Sequence, residues 1–171
     1  MRVLVSAASR HGATLEIAKV IGDVLAERGL EVTVIPADQV STVADWDAVV
    51  LGSGVYFGQW LKPATELTDR SAQLLTARPL WLFSSGPVGD PPKPARNPVD
   101  VSKMLTATQP RDHRLFGGAI LRKHLDFTER AMTRALGVMD GDYRDWNEIR
   151  SWASGIANTL EAAPSSTAGQ L

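Results

Sequence analysis

The chain has 171 residues and a formal net charge of −1, with 44% apolar and 22% charged residues, which suits one domain over residues 1–161 and leaves no room for two. It has no cysteine, which excludes disulfide scaffolds, thiolate metal sites and cysteine nucleophiles and fits a reducing, cytoplasmic compartment. No run reaches the length of a membrane span, Met1-Arg2-Val3 opens a strand rather than a signal peptide, and neither a metal site nor a nucleic-acid partner is expected.

In chain order, Val3–Val5 reads as a buried strand, and Thr14–Arg28 as an amphipathic helix with Ile17, Ala18, Ile21, Val24 and Leu25 on one face. Gly29 stops that helix. Glu31–Ile35 is a second strand closed by Pro36, and Ala48–Leu51 a third, wholly apolar. A helix is predicted from about Pro63 to Leu75, with proline in its first turn, then a fourth strand at Leu80–Phe83. The stretch from Ser84 to Pro98 holds five prolines and reads as loop. A short helix follows near Val99–Thr106, and a fifth strand at Leu115–Leu121, where Gly117-Gly118 signals a bulge or close backbone approach. Helices are predicted at Asp126–Leu136 and Trp146–Leu160; Asp145 and Glu148 take N-cap and N3 spacing in the latter. Residues 162–171 are small and polar, a disordered tail.

Apolar strands alternating with helices require a parallel sheet covered on both faces, here a three-layer α/β/α sandwich of five strands in the order 2-1-3-4-5. Ligands of such folds bind beyond the carboxyl ends of the strands. The first such loop holds Ser9, Arg10, His11, Gly12, Ala13 and Thr14: hydroxyls, a glycine and a helix N-terminus, the parts of a phosphate cradle without a P-loop lysine. An ordinary capped turn explains the same residues equally well. The third loop, Gly52 to Trp60, places Ser53, Gly54, Val55, Tyr56, Phe57, Gly58 and Trp60 at the sheet edge. Its rings suit stacking on a flat ligand, although core cover is the better account of Phe57. The fourth loop offers Ser84, Ser85, Gly86 and Gly89, whose backbone amides suit polar ring edges. Converging on one crevice, the three loops suggest a mononucleotide with an aromatic head.

The motif Ser9-x-x-Gly12-x-Thr14, with loops 52–60 and 84–90, resembles the flavodoxin family. The chain is also similar to the short flavodoxin-like branch typified by menaquinone-dependent protoporphyrinogen dehydrogenase. That likeness rests on the loop 9–14, on Gly118-Ala119-Ile120-Leu121-Arg122, and on Asp145-Trp146, and it spans about residues 2–160. The resemblance implies FMN, its phosphate at 9–14 and its isoalloxazine between 53–60 and 84–90. The branch carries aspartate where His11 stands and arginine where Tyr56 aligns, and Arg122-Lys123-His124-Leu125 lacks the expected proline and aromatics. These departures bear on the porphyrinogen substrate more than on the flavin.

A receiver domain is excluded because Ser6-Ala7-Ala8 and Gly52-Ser53-Gly54 stand where acidic residues are needed. No G-x-S-x-G elbow occurs. His11 either donates to the phosphate or faces solvent, and His113 and His124 lack ligand-spaced neighbours. Residues 91–134 carry 9 Lys and Arg against 4 Asp and Glu. That basic segment fits surface charge, or an anionic or peripheral membrane contact on the inner face of the membrane. The expected activity is that of an FMN-dependent oxidoreductase acting on a porphyrinogen with a quinone acceptor. The alternative is an electron carrier serving another electron-transfer protein. The sequence leaves the oligomeric state open.

Overall fold

Four of the five expected strands form from the apolar runs that predict them. In the computed structural model, residues 1–88 and 99–163 are described. The strands are β1 (Arg2–Ala8), β2 (Glu31–Pro36), β3 (Ala48–Tyr56), β4 (Gln59–Trp60), β5 (Leu80–Ser85), β6 (Asp112–Phe116), β7 (Ala119–Ile120) and β8 (Gly141–Asp142). The helices are α1 (Ala13–Glu27), α2 (Lys62–Thr76), α3 (Ser102–Thr108), α4 (Phe127–Ala135) and α5 (Trp146–Ala162). The main sheet runs β2-β1-β3-β5-β6, every neighbouring pair parallel. This is the predicted 2-1-3-4-5 order, with β4 a short antiparallel return on β3.

Alternation along each strand divides its side chains between two cores. Val3, Val5, Val50, Trp81 and Phe83 pack with α1 and α5, where Ile17, Ile21, Ile149 and Ile156 close the layer. Leu4, Val49, Leu51, Leu80 and Leu82 face α2 and α3 through Leu67, Leu75 and Met104. Phe83 and Phe116 each meet the Trp152 ring edge-on, with centroids 6.2 and 5.5 Å apart. Asp145 caps α5 by accepting from the Asn147 and Glu148 amides, both at 3.0 Å, as its spacing predicts. No helix among the described residues is long and apolar enough to cross a membrane.

The expected boundaries fail at the sheet's carboxyl edge. β3 continues through Gly52-Ser53-Gly54, because those small residues pair with Phe83, Ser84 and Ser85 of β5. Ser53, Ser84 and Ser85 are therefore strand residues, all buried, and not loop. The fifth sheet strand is Asp112–Phe116 rather than Leu115–Leu121. An edge strand presents one side to water, so Asp112, His113 and Arg114 hide it from any apolar pattern. Trp152 Nε1 donates to Asp112 Oδ2 at 2.7 Å and holds it in place. The chain leaves the sheet at Gly117, where a Cβ would collide with the Tyr143 carbonyl oxygen. Beyond it, Ala119–Ile120 pairs antiparallel with Gly141–Asp142. The predicted tail begins one residue early, since Ala162 closes α5. Residues 164–171 lie outside the described part, as does most of the proline-rich stretch, 89–98.

Candidate functional site

Between β1 and α1 the chain must reverse within four residues. Gly12 makes the bend at φ +91°, where no Cβ strain arises. The Ser9 hydroxyl oxygen accepts from Gly12 N at 2.9 Å and Thr14 N at 3.3 Å. Two N–H groups thus converge on one oxygen at the amino end of a 15-residue helix, where the dipole favours negative charge. An oxygen of a phosphate makes the same demand on those donors.

Tyr56 and Gln59 pair across a two-residue turn in which Phe57 (φ +50°) and Gly58 (φ +73°) are both left-handed. Two successive positive φ values define the primed hairpin turn whose twist matches its strands. Glycine takes that conformation freely, whereas a bulky side chain at φ above zero is strained. Phe57 is 73% exposed, so the expectation that it covers the core is overturned: the hairpin lifts its ring into solvent.

The carboxyl ends of β1, β3 and β5 open on one cavity of about 500 Å³, within the usual range for small-molecule sites. Ser9, Arg10, His11, Ala13 and Thr14 form one end; Gly54, Val55, Tyr56, Phe57 and Gly58 form a side; Ser85, Gly86 and Val88 continue it. A Cβ built on Gly54 would lie 3.2 Å from Thr14 Oγ1, so that glycine keeps the seam between the first two loops open. The cavity lining does not include Ser53, Trp60 or Ser84 among the described residues. Ser53 Oγ accepts from Leu61 N at 2.9 Å and donates to Gly54 O at 2.8 Å, fixing the start of the hairpin. Trp60 Nε1 donates to Ser84 Oγ at 2.7 Å, and Ser84 Oγ lies 2.8 Å from His113 Nε2. Gly12 bends the loop without facing the cavity, and Gly89 lies outside the described residues.

The fourth wall consists of residues the sequence reading leaves out: Gly118, Ala119 and Ile120, then Leu125, Glu129, Met132, Thr133 and Leu136 on and beside α4. Glu129 is the informative one. Its side chain is 5% exposed, yet a buried carboxylate must find partners. Asp126 Oδ1 accepts from Glu129 N at 2.9 Å and Glu129 Oε2 accepts from Asp126 N at 2.8 Å, a capping box that starts α4. His11 Nε2 lies 3.1 Å from both Glu129 oxygens, and Arg10 Nε lies 3.2 Å from Oε1. Arg10 also reaches Asp126 Oδ2 at 2.5 Å and sits 5.6 Å from the centre of the Tyr56 ring. His11 therefore contacts Glu129 while remaining partly open to solvent. The Asp-x-x-Glu spacing at 126–129 was the sequence signal for this wall.

Burial, with the Glu129 charge second, pushes the Tyr56 phenol up to about 12, so it stays a neutral donor. The backbone amide of Glu129 holds the Asp126 carboxyl below the usual range. Behind the first loop, Arg144 donates to Ala13 O at 2.9 Å and Glu16 Oε2 at 2.6 Å, its guanidinium 4.4 Å from the centre of the Trp146 ring. Its hydrogen bond depresses the Asp142 carboxyl as well. Arg144 thereby ties the segment before α5 to the amino end of α1.

The flavodoxin domain family model matches residues 4–147. Protoporphyrinogen IX dehydrogenase [quinone] of Escherichia coli strain K12 is 25% identical over 177 residues, covering 94% of this chain and 97% of that protein. Flavodoxin of Streptococcus pneumonia TIGR4 superposes with a TM-score of 0.63 at 18% identity, over 95% of this chain and 99% of that one. Rubredoxin oxygen:oxidoreductase of Desulfovibrio gigas gives 0.63 at 14% identity; 94% of this chain matches 36% of that longer one. The strand order, the three convergent loops and the family match agree: the chain belongs to the flavodoxin family, whose members bind FMN.

Proposed function

We propose that the cavity holds FMN with its phosphate on residues 9–14 and its ring between the 54–58 hairpin, the Ser85–Val88 segment and α4, and that the protein oxidises a reduced porphyrin with a quinone as acceptor. The observation that carries the reading is continuity. One cavity joins the Ser9–Thr14 turn at a helix N-terminus to a wide wall of Val55, Tyr56, Ile120, Met132 and Leu136. A group with an anionic end and a flat apolar body fits both ends at once. The flavin, when bound, supplies the exchange of hydride and single electrons. The side chains bind and orient it, and α4 keeps water from one side. Among the cavity residues Tyr56 is a neutral donor, suited to a polar ring edge and unsuited to act as a base near neutral pH.

The rim bears on the acceptor. Phe57, Leu121, Phe127 and Met139 are exposed on elements that line or flank the cavity. Exposed apolar groups beside basic ones favour a lipid-soluble partner at an anionic surface, which supports the quinone and a peripheral membrane contact. The carrier alternative has its own support, in the extensive likeness to flavodoxins of similar length. Purified protein with FMN should turn yellow and gain a thermal shift that grows with flavin concentration. Anaerobic assays then compare reduced porphyrin plus menaquinone with a reduced electron-transfer protein. Turnover of the first pair alone supports the enzyme; turnover of the second alone removes the porphyrin reading.

A further inference from the structure

At the cradle end of the cavity one lining carboxylate, Glu129, is matched by one guanidinium, Arg10, and a second carboxylate, Asp126, stands at the exposed rim. His11 contacts Glu129 of α4, and around that carboxylate stand Arg10 from the same loop, the α4 cap residue Asp126 and, across the cavity end, Tyr56 of β3. Tyr56 stays protonated, so the lining charges at that end cancel, and a bound phosphate adds negative charge with no cation among the described residues there left to match it. Arg10 is engaged by both carboxylates, at 2.5 and 3.2 Å. Glu129 is buried beside the cavity, where its charge is poorly screened. A phosphate brings up to about two further negative charges to the same end. Among the described residues there, the imidazole of His11 has both of its contacts to Glu129 oxygens, and histidine is the side chain type suited to carrying an added proton.

Resting on the FMN reading above, we infer that His11 is a proton-loaded positioning residue: the phosphate binds together with one proton, taken from solvent onto His11, and the imidazolium then lies between Glu129 and the phosphate. The consequence is linkage. A ligand that binds with a proton loses affinity as pH rises, by up to about tenfold per pH unit for one proton. Below pH ~6 the phosphate itself protonates and opposes the trend, so affinity peaks between the two titrations. Riboflavin, which has the ring without the phosphate, feels none of this.

The test titrates the protein, freed of flavin, with FMN and with riboflavin by flavin fluorescence between pH 5.5 and 8.5. Proton uptake is counted by calorimetry in buffers of different ionisation enthalpy. Wild-type protein should lose five- to tenfold in FMN affinity from pH 7 to 8.5, taking up a fraction of a proton approaching one, while riboflavin binding stays flat. His11→Gln keeps a donor but cannot charge, so its FMN affinity should not fall over that range and its proton uptake should vanish. Glu129→Gln removes the repulsion and should bind FMN several-fold tighter than wild type at pH 8.5, which loss of a merely structural contact would not do. Should Glu129→Gln unfold, as judged by circular dichroism, the His11→Gln and riboflavin arms decide alone. FMN binding with the same flat profile as riboflavin, or a slope retained in His11→Gln, overturns this inference and leaves the FMN reading standing. No FMN binding at any pH removes both.

Discussion

The two walls of the cavity are built by opposite means. The sheet wall is the carboxyl end of β1, β3 and β5, whose central residues are fully buried and whose registers are fixed by six paired positions each. The α4 wall hangs outside the sheet on a capping box, a two-stranded ladder at 119–120 and 141–142, ion pairs from Arg10 and a hydrogen-bond contact from His11. Its apolar residues point partly to solvent, Phe127 being 88% exposed. Elements with few buried apolar contacts open at low free energy. One wall is therefore a rigid template, and the other a cover held mainly by polar contacts that salt and pH can weaken.

The contrast breaks most visibly in the core. Phe83 lies under the sheet wall at full burial, against Phe116 and Trp152. Phe83→Ala should cost about 3–5 kcal/mol of unfolding free energy in urea. A loss below about 1 kcal/mol would show that the sheet wall is not the rigid one. Next comes the cradle: Ser9→Ala with Thr14→Val should weaken FMN binding by roughly 2–4 kcal/mol, since a hydrogen bond to a charged group is worth about 1.5–3 and two on one phosphate add incompletely. Riboflavin affinity should change little in that variant, and equal losses for both ligands would move the phosphate elsewhere.

A third test reaches the edge between the walls. His113 on β6 is half-buried against Ser84, and burial depresses its pKa below the ordinary 6.5 although Asp112 pulls it up. The folded state thus disfavours the charged ring. The contribution is complete above the unfolded value and is lost as pH falls through the folded one. The urea midpoint should drop between pH 7 and 5, and the drop should shrink in His113→Gln; an unchanged drop would assign the acid sensitivity to other groups. The smallest effect belongs to the cover. Phe127→Ser should change stability by no more than about 0.5 kcal/mol, and a loss above 1 kcal/mol would mean that α4 is anchored through its apolar face after all.

The turn at 9–14 was readable because a buried strand, a hydroxyl-glycine turn and a helix fall in one short stretch, each required by local chemistry. The hairpin was half readable. Its glycine and aromatics stand out, but a left-handed Phe57 follows from the strand pairing and not from its own preference. Trp60 and Ser84 look like ligand groups in sequence, yet they satisfy each other inside the protein. Polar groups buried by neighbouring strands must pair somewhere, and sequence does not say with whom.

Taken alone, the amino-acid order settled the parallel sheet, the strand order, the helices of the two outer layers and the strand-turn-helix at 9–14. Those follow from periodicity and from backbone rules acting within some ten residues. Tertiary structure alone decided that the last strand is Asp112–Phe116, that β3 and β5 run on into the expected loops, and that α4 closes the cavity with Glu129 against His11. Each of these depends on contacts between residues far apart in the chain, about 118 positions for His11 and Glu129, and no local pattern records a partner at that distance.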